Sequence, residues 1–413
     1  MVSGAGGAGA GGGSVGEGEV EDGVVEHLRQ QAATCRGLGA RFTAVLCEAA
    51  ADDAERGGPV ARVLRGQEGE PGPSALALRL VGALGRLVLQ GAAPELARAY
   101  PADEGDDGAP GSRPGDAARA AALLPGVVAA HEDALRADLG AAPQTNEVGR
   151  AAALWGALLH VLAEGAGRGV AGADDDVPVR LHDVGSSAGL LLQADRMRMT
   201  ARDGGAWGPP GSPVQLGGAW DVAPWRAAGG GDAPPRAVVV ERVGVDVAPL
   251  DPGDPQDARR LLSFVWPEQR ERVHRLRGAL QLAAAHPVAV RRAGAGDLAR
   301  ELALREGAVT VVWQSVVRQY VPPAERRAAE ADLEALGRRA SPSAPLVLLA
   351  LEPRRLPGER QQRFCVEARV HGAPPGSRAA AAGARLRLLG EAAPHGVPVH
   401  WGPPGRVRWG PPG

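Results

Sequence analysis

The chain has 413 residues, a formal net charge of −2, and 46 basic residues against 48 acidic ones. This length is enough for one large or two modest domains, and the balanced charge argues against a nucleic-acid-binding surface. Lysine and isoleucine are absent and Asn146 is the only asparagine, so a GC-rich genome accounts for the many arginines.

The N-terminal residues and the cysteines indicate the cellular compartment in which the protein is expected. Residues 1–23 are rich in glycine and alanine, lack the basic and apolar regions of a signal peptide, and are predicted to be a disordered leader. Cys35, Cys47 and Cys365 form no CxxC pair, so neither a disulfide framework nor a metal site is predicted. No apolar run approaches the roughly 20 residues that span a bilayer. We expect a soluble, cytoplasmic protein without a membrane partner.

Residues 24–143 are predicted to form a helical N-terminal domain. Between residues 24 and 50 the apolar side chains recur at steps of three and four, which is one face of a helix. Ser74 is placed to cap a second helix, and another helical run covers residues 116–139. No strand is predicted before residue 178. We expect this domain to act as a lid over the site of the following domain.

A polar cluster marks the start of the next predicted helix, residues 144–164. Thr145 or Asn146 is expected to cap this helix, and Glu147 is favoured at the positive end of its dipole. The cluster is unusually polar, and we expect it to close over a cofactor or a substrate. Its members are Gln144, Thr145, Asn146, Glu147 and Arg150.

From residue 178 onwards short apolar runs alternate with helical ones. Five strands are predicted, over residues 178–184, 237–245, 287–293, 308–317 and 344–352. Helices are predicted between them, over residues 186–199, 267–285, 296–306 and 323–340. This alternation is typical of an α/β fold with a mostly parallel, doubly wound sheet. Residues 144–402 are therefore predicted to be a Rossmann-like domain, with antiparallel edge strands formed by its last apolar runs.

Two segments rich in glycine and proline interrupt this pattern. Residues 203–235 are predicted to be an irregular insertion, and residues 403–413 are predicted to be a tail. The string WGPPG occurs three times, beginning at residues 207, 401 and 409. We interpret the repetition as sequence drift and assign it no binding role.

The string GSSAG, residues 185–189, has two possible interpretations. It matches the G-x-S-x-G turn that presents a nucleophilic serine, Ser187, in hydrolases. That turn follows several strands in the hydrolase fold, and one of the preceding loops supplies oxyanion-hole amides. Here only helices are predicted upstream, so the serine hydrolase is kept as an alternative.

The second interpretation is a cofactor-binding loop after the first strand. Backbone at Gly185, Ser186, Ser187 and Gly189 would approach a ligand closely, and the following helix would direct free N–H groups at it. The loop lacks lysine and arginine and no P-loop string occurs, which argues against a nucleoside triphosphate.

S-adenosylmethionine carries a sulfonium, an ammonium and a carboxylate, and it suits an acidic loop of this kind. We expect Asp183 to favour its cationic groups and the helix start to hold its carboxylate. Asp246, at the end of the second strand, is placed for the ribose hydroxyls, and Asp297 is placed for the adenine. We expect all these residues to lie close together, because the carboxyl ends of parallel strands meet at one edge of a sheet.

These strings together resemble a family of uncharacterised bacterial proteins, common in high-GC actinobacteria and known as domain of unknown function 2332. The resemblance is carried by strings that extend from about residue 24 to Trp401, among them QTNEVGR, DVGSSAGLLLQADR, ERVGVDVAPLDP, FVWPEQRERVHRLRGAL and VTVVWQSVVRQYVPPAERR. The family's predicted core is similar to that of Rossmann-fold S-adenosylmethionine-dependent methyltransferases. The resemblance therefore implies methyl transfer, but only by analogy of fold.

The loop after the fourth strand is where such enzymes hold the methyl acceptor. Gln314 and Tyr320 are expected to orient an acceptor, Ser315 to contact acceptor or cofactor, and Glu352 to act as the base. The acceptor is expected to be a small molecule or a peptide. An alternative is a non-catalytic nucleoside-binding protein. Ser187 stands where ordinary methyltransferases have the central glycine of GxGxG, and Leu191 and Gln314 stand where the family pattern has Asn and His.

Overall fold

A computed structural model describes residues 17–67, 75–101, 115–140, 143–170 and 175–405, with side chains from residue 23 onwards. The chain divides into two compact units. The first contains the described residues up to 143 together with Trp266–Glu268, and the second contains the other described residues. No helix among the described residues is long and apolar enough to cross a membrane.

The first unit is helical throughout its described part. Its helices are α1 (Glu17–Gly37), α2 (Arg41–Glu55), α3 (Pro59–Leu64), α4 (Leu76–Leu89), α5 (Pro94–Ala99), α6 (Ala117–Ala130) and α7 (Glu132–Leu139). Apolar residues at spacings of three and four lie on one face of each helix, and these faces pack together into one core. Buried in this core are Leu28, Leu46, Leu80, Leu124 and Leu135. No strand was predicted before residue 178, and the first strand begins one residue earlier, at Val177.

The second unit is a mixed α/β unit built on one sheet of 11 strands. Its strands are β1 (Val177–Val184), β2 (Arg198–Ala201), β3 (Ala206–Trp207), β4 (Gln215–Trp220), β5 (Ala237–Asp246), β6 (Val290–Arg292), β7 (Val309–Ser315), β8 (Leu346–Arg355), β9 (Gln362–His371), β10 (Arg387–Ala392) and β11 (Val399–Trp401). Its helices are α8 (Ala151–Ala163), α9 (Pro224–Ala227), α10 (Pro255–Ser263), α11 (Arg270–Ala285), α12 (Ala295–Glu301), α13 (Pro323–Gly337) and α14 (Arg378–Ala382).

The sheet order is β3-β2-β4-β11-β10-β9-β8-β7-β1-β5-β6. Strands β6, β5, β1, β7 and β8 are neighbours and all run parallel. They are the five strands that the sequence predicts, so the large, mostly parallel sheet is confirmed. Chain order reverses at β1, because β5 and β6 lie to one side of it and β7 and β8 to the other.

Both faces of β1, β7 and β8 are mostly buried, which explains their continuous apolar runs, whereas β5 and β6 have exposed positions. Leu181 and Trp313 belong to one core cluster, which also contains residues of α8 and α11. Val184 and Val312 belong to another cluster, with Leu298 of α12, Leu336 of α13 and Leu346. Neighbouring residues of a strand enter different clusters because successive side chains alternate between the faces of a sheet.

Three local predictions were wrong. The helix predicted over residues 186–199 is instead a 3₁₀ helix, Leu190–Arg196, followed by β2. The segment 203–235 is not wholly irregular, since it contains β3, β4 and α9. The last strands are not an edge, because β10 pairs with β11, β11 pairs with β4, and β3 ends the sheet. The strands of the inserted segment thus cover an edge that the C-terminal strands would otherwise expose.

The helix predicted from residue 145 begins later than expected. Residues 144–147 are not helical, a 3₁₀ turn covers Val148–Arg150, and α8 starts at Ala151. Neither Thr145 nor Asn146 caps this helix. The side chain of Asn146 is hydrogen-bonded elsewhere, to the loop that follows β1.

Candidate functional site

The candidate site lies at the carboxyl ends of β1, β7 and β8. Because these strands are parallel neighbours, the segments that leave them emerge at the same edge of the sheet. The point where chain order reverses, beside β1, is where α/β sheets of this kind bind ligands. The glycine-rich loop, residues 185–189, leaves the sheet at this point.

The backbone of the glycine-rich loop is tightly held. The amides of Gly185 and Ser186 both donate to the carbonyl oxygen of Val245 in β5, at 2.9 and 3.0 Å. Gly185 has a φ of +73°, and a Cβ there would lie 2.4 Å from Cγ2 of Val317. Only glycine allows the loop after β1 and the loop after β7 to approach this closely.

The polar segment 144–150 fastens the loop from the other side. Asn146 donates through Nδ2 to the carbonyl oxygen of Ser186 at 3.1 Å, and its Oδ1 accepts from the amide of Leu190 at 3.0 Å. Gln144 donates to the carbonyl oxygen of Ala248 at 2.8 Å. The amide of Leu190, at the start of the 3₁₀ helix, is therefore hydrogen-bonded to Asn146 and is not free to bind a carboxylate.

Ser187 is held by polar side chains and not by a base. Its amide donates to Oδ2 of Asp246 at 2.8 Å, and its hydroxyl lies 3.4 Å from Oε1 of Gln144. Among the described residues no imidazole is within hydrogen-bonding distance of this hydroxyl. The general base that a serine nucleophile requires is not provided by the described part of the chain.

Asp246 connects the loops that follow β1 and β5. Its Oδ2 accepts from Ser187, and its Oδ1 accepts from the amide of Ala248 at 2.8 Å. A carboxylate has about four lone-pair sites, so these two bonds leave room for hydroxyl donors from a ligand.

Asp183 is the most unusual carboxyl group of the site. It is 2% exposed, and its Oδ2 has no hydrogen-bond partner among the described residues. Burial raises its pKa to about 8, and the neighbouring side chains of Trp313 and Ser186 oppose this rise only in part. Asp183 is therefore mostly protonated at neutral pH, unless a cation compensates its charge.

The loop after β7 brings Gln314, Ser315 and Tyr320 to the same edge. The side chain of Gln314 makes no hydrogen bond among the described residues, and Tyr320 is 51% exposed. Between them Val316 has a φ of +52°, which is rare for a β-branched residue. Its amide donates to the carbonyl oxygen of Leu351 in β8 at 2.9 Å, which holds this turn against the sheet.

Glu352 lies in β8 directly behind this turn. Its Oε1 accepts from the amides of Val317 and Arg318, both at 3.2 Å, whereas its Oε2 is buried without a partner among the described residues. Burial raises the pKa of Glu352, and the nearby charge of Glu367 adds to the rise. Arg318 and the two amides act in the opposite direction. A carboxyl group with a raised pKa is suited to proton transfer near neutral pH.

Another buried carboxylate group, Glu147, belongs to the polar segment 144–150. Its Oε2 accepts from Arg272 at 2.8 and 2.5 Å, and Nδ1 of His395 lies 3.5 Å away. Burial acts to raise the pKa of Glu147, but Arg272 and His395 lower it overall. Burial and the charge of Arg272 lower the pKa of His395 to about 4, so this imidazole is neutral at pH 7.

Two predicted residues do not join these contacts. Asp297 accepts from the amide of Gly294 at 2.9 Å and forms an ion pair with Arg300, so its described contacts lie at the start of its own helix. The side chain of Thr145 makes no hydrogen bond among the described residues. For Asp297 the contacts are those of an ordinary helix cap.

Sequence reasoning missed Arg272, His395 and Glu367. Glu367 accepts from Arg318 at 3.0 and 3.3 Å and also from Arg354. No sequence signal distinguishes Arg272 from the other arginines of a charged helix, and His395 comes from a distant loop. Glu367 was detectable in principle, because a charged residue flanked by apolar ones in a strand is unusual.

Strained backbone is concentrated at this site. Four non-glycine residues of the described chain have a left-handed φ, and three of them are Asn146, Ser187 and Val316. Such conformations cost of order 1–3 kcal/mol each, and they persist where the surrounding structure enforces them, often at functional sites.

Comparison with known proteins gives one match. The family model of DUF2332, described as an uncharacterized protein conserved in bacteria, matches residues 25–401. Curated proteins and solved structures gave no match. The family model covers most of the chain, including every site residue described above. The chain therefore belongs to the DUF2332 family.

Proposed function

We propose that this protein is an S-adenosylmethionine-dependent methyltransferase that acts on a small molecule or a peptide. The observation that carries the proposal is Asp183, a buried carboxyl group at the point where chain order reverses, one oxygen of which has no partner in the described part of the chain. A buried carboxyl group in that position gains most from a ligand that brings a positive charge.

The parallel strands support this choice of ligand. Numbered along the chain, they lie in the order third, second, first, fourth, fifth, which is the order found in doubly wound nucleotide-binding sheets. Asp183 ends the first strand and would pair with the ammonium group or sulfonium of the cofactor. Asp246 ends the second strand and retains lone pairs for ribose hydroxyls.

The acceptor side of the site supplies a base. When bound, S-adenosylmethionine supplies an electrophilic methyl group, and an acceptor that carries a proton must lose it on transfer. Glu352 has a buried, unpartnered Oε2 that can accept this proton. The strained turn at Val316 keeps Gln314 and Ser315 beside Glu352, where they can orient the acceptor.

Calorimetric titration with S-adenosylmethionine and S-adenosylhomocysteine tests the cofactor. Since the pKa of Asp183 is about 8, cation binding requires loss of its proton below that pH. The affinity of the wild-type protein should therefore rise by roughly tenfold per pH unit up to about pH 8. Asp183→Asn should bind more weakly and lose this dependence, whereas Asp232→Asn, at a fully solvated side chain, should behave as the wild type.

Three outcomes would count against the proposal. Absence of heat with both nucleosides rejects the cofactor. Binding of both without methylated product from any acceptor favours the alternative of an inactive nucleoside-binding protein. Labelling of Ser187 by a fluorophosphonate probe would favour the serine hydrolase, and we expect none because Ser187 has Gln144 as its side-chain neighbour.

A further inference from the structure

Arg150 differs from the other arginines of the site. Arg272 pairs with Glu147, and Arg318 and Arg354 pair with Glu367. Arg150 has no ion pair with any described carboxylate. Its Nη1 makes one long contact, 3.5 Å, to the carbonyl oxygen of Ser315, and its Nε is buried without a hydrogen-bond partner among the described residues.

The position of Arg150 is fixed by close backbone packing. A Cβ at Gly396 would lie 2.3 Å from the Cα atom of Arg150, and one at Gly149 would lie 2.3 Å from the carbonyl oxygen of His395. The segment 395–396 therefore rests directly on residues 149–150. This contact fixes the backbone from which the Arg150 side chain extends.

The carboxylates near Arg150 do not fully compensate the positive charge of its guanidinium. Its charged and titratable neighbours are Glu147, Arg272, Glu352 and Tyr320. Glu147 is already hydrogen-bonded to Arg272, so its negative charge compensates Arg150 only in part. Burial lowers the pKa of Arg150, yet an arginine remains charged in proteins. Arg150 is half-buried and has no ion pair among the described residues, whereas charged groups removed from water are usually paired, so its surroundings indicate a site for an anionic partner.

We infer that Arg150 binds a carboxylate group of the methyl acceptor. The assignment of this carboxylate to a methyl acceptor rests on the proposed function. The anion-binding site itself follows from the contacts of Arg150. The neighbours Ser315, Tyr320 and Glu352 are those expected on the acceptor side. No described contact joins Arg150 to the loop of residues 185–189, where the cofactor is proposed to bind. A guanidinium recognises a carboxylate through two parallel N–H donors.

Fluorine NMR with trifluoroacetate as the probe tests the site on the full chain, and uncharged trifluoroacetamide is its control. Saturable binding of trifluoroacetate should weaken at least roughly tenfold in Arg150→Gln, since a charge-assisted bond is lost. It should persist in part in Arg150→Lys, which keeps the charge. Arg355→Gln, at an exposed arginine of β8, is the matched control and should bind as the wild type. Unchanged thermal midpoints establish that the variants fold.

The outcomes separate this inference from the proposed function. Equal trifluoroacetate binding by wild type and Arg150→Gln overturns it. It is also overturned if S-adenosylhomocysteine displaces trifluoroacetate and Arg150→Gln weakens S-adenosylhomocysteine but not methylthioadenosine, because the carboxylate would then belong to the cofactor. If no nucleoside binds but trifluoroacetate binding still depends on Arg150, the carboxylate site stands and the methyltransferase proposal falls.

Discussion

At the scale of single residues, the site is defined by carboxyl groups whose burial changes their chemistry. Asp183 and Glu352 both have one buried oxygen without a partner in the described chain, and burial raises the pKa of both. Glu147 and Glu367 are equally buried, but arginines lower their pKa. These four acidic residues are similarly buried, yet two of them have a raised pKa and two have a lowered pKa, because only the latter two are paired with arginines.

Asp183 should make stability depend on pH. Its pKa is raised from 3.8 to about 8 on folding, so the stabilising contribution of its neutral form is complete below pH 3.8 and is lost as pH rises towards 8. Asp183→Asn removes this titration. We expect its free energy of unfolding to exceed that of the wild type by more at pH 8 than at pH 5. Urea denaturation at the two pH values measures the difference, and an equal difference at both would contradict the raised pKa.

Glu352→Gln should separate binding from transfer. The amide keeps the shape of the side chain and can still accept from the two amides after β7, but it cannot take up a proton. We expect nucleoside affinity to stay within about twofold while methyl transfer falls by roughly 10²–10⁴. Single-turnover assays with an identified acceptor give the rate. If transfer is unaffected, the acceptor does not lose its proton to Glu352.

At the scale of elements, the strands were more predictable than the segments that connect them. Runs of valine and leucine bounded by glycine and proline specify β7 and β8, because a strand buried on both faces needs apolar residues at every position. The segment after β1 was predicted as a long helix from its leucines. It forms the 3₁₀ helix Leu190–Arg196 instead. The side chain of Asn146 accepts a hydrogen bond from the amide of Leu190 at its start, and β2 begins at Arg198.

The loop after β1 depends on the absence of a side chain at Gly185. Gly185→Ala places a Cβ 2.4 Å from Val317 and forces a left-handed φ on alanine. Gly204→Ala is the control, because Gly204 also has a positive φ but has open space around its Cα atom. We expect the control to lose about 1–2 kcal/mol from backbone strain alone, and Gly185→Ala to lose at least about 1 kcal/mol more from the clash.

Chemical denaturation of both glycine variants supplies these values. Adding Val317→Ala to Gly185→Ala should recover part of the loss, because it removes the clashing methyl groups. A Gly185→Ala variant no less stable than Gly204→Ala would mean that the two loops are farther apart than described.

At the scale of the whole molecule, the first unit is not continuous in sequence. Trp266–Glu268 belong to it, although they lie far along the chain from its helices. Glu268 accepts from the amide of Thr43 at 2.8 Å and from its hydroxyl at 2.9 Å. This carboxylate caps α2, which has no side-chain cap from its own N-terminal segment.

Removing this distant cap should destabilise the protein. We expect Glu268→Ala to lower the free energy of unfolding by about 1 kcal/mol, the usual cost of losing an N-cap. Glu271→Ala, at an exposed glutamate nearby, should change it by no more than about 0.5 kcal/mol. Thermal or urea unfolding of the two variants gives the comparison, and similar losses in both would contradict the capping role.

The sequence by itself determined the helical first unit, the five parallel strands and their segregation along the chain. These features follow from local periodicity and from burial on one or both faces, which neighbouring residues specify. The tertiary structure alone decided that strands of the segment 203–235 extend the sheet and that Asn146 clamps a loop. It also decided that, within the described part of the chain, Arg272 has an ion-pair partner and Arg150 has none. These features depend on contacts between residues far apart in sequence. The local sequence does not indicate which of the many arginines and aspartates will contact each other.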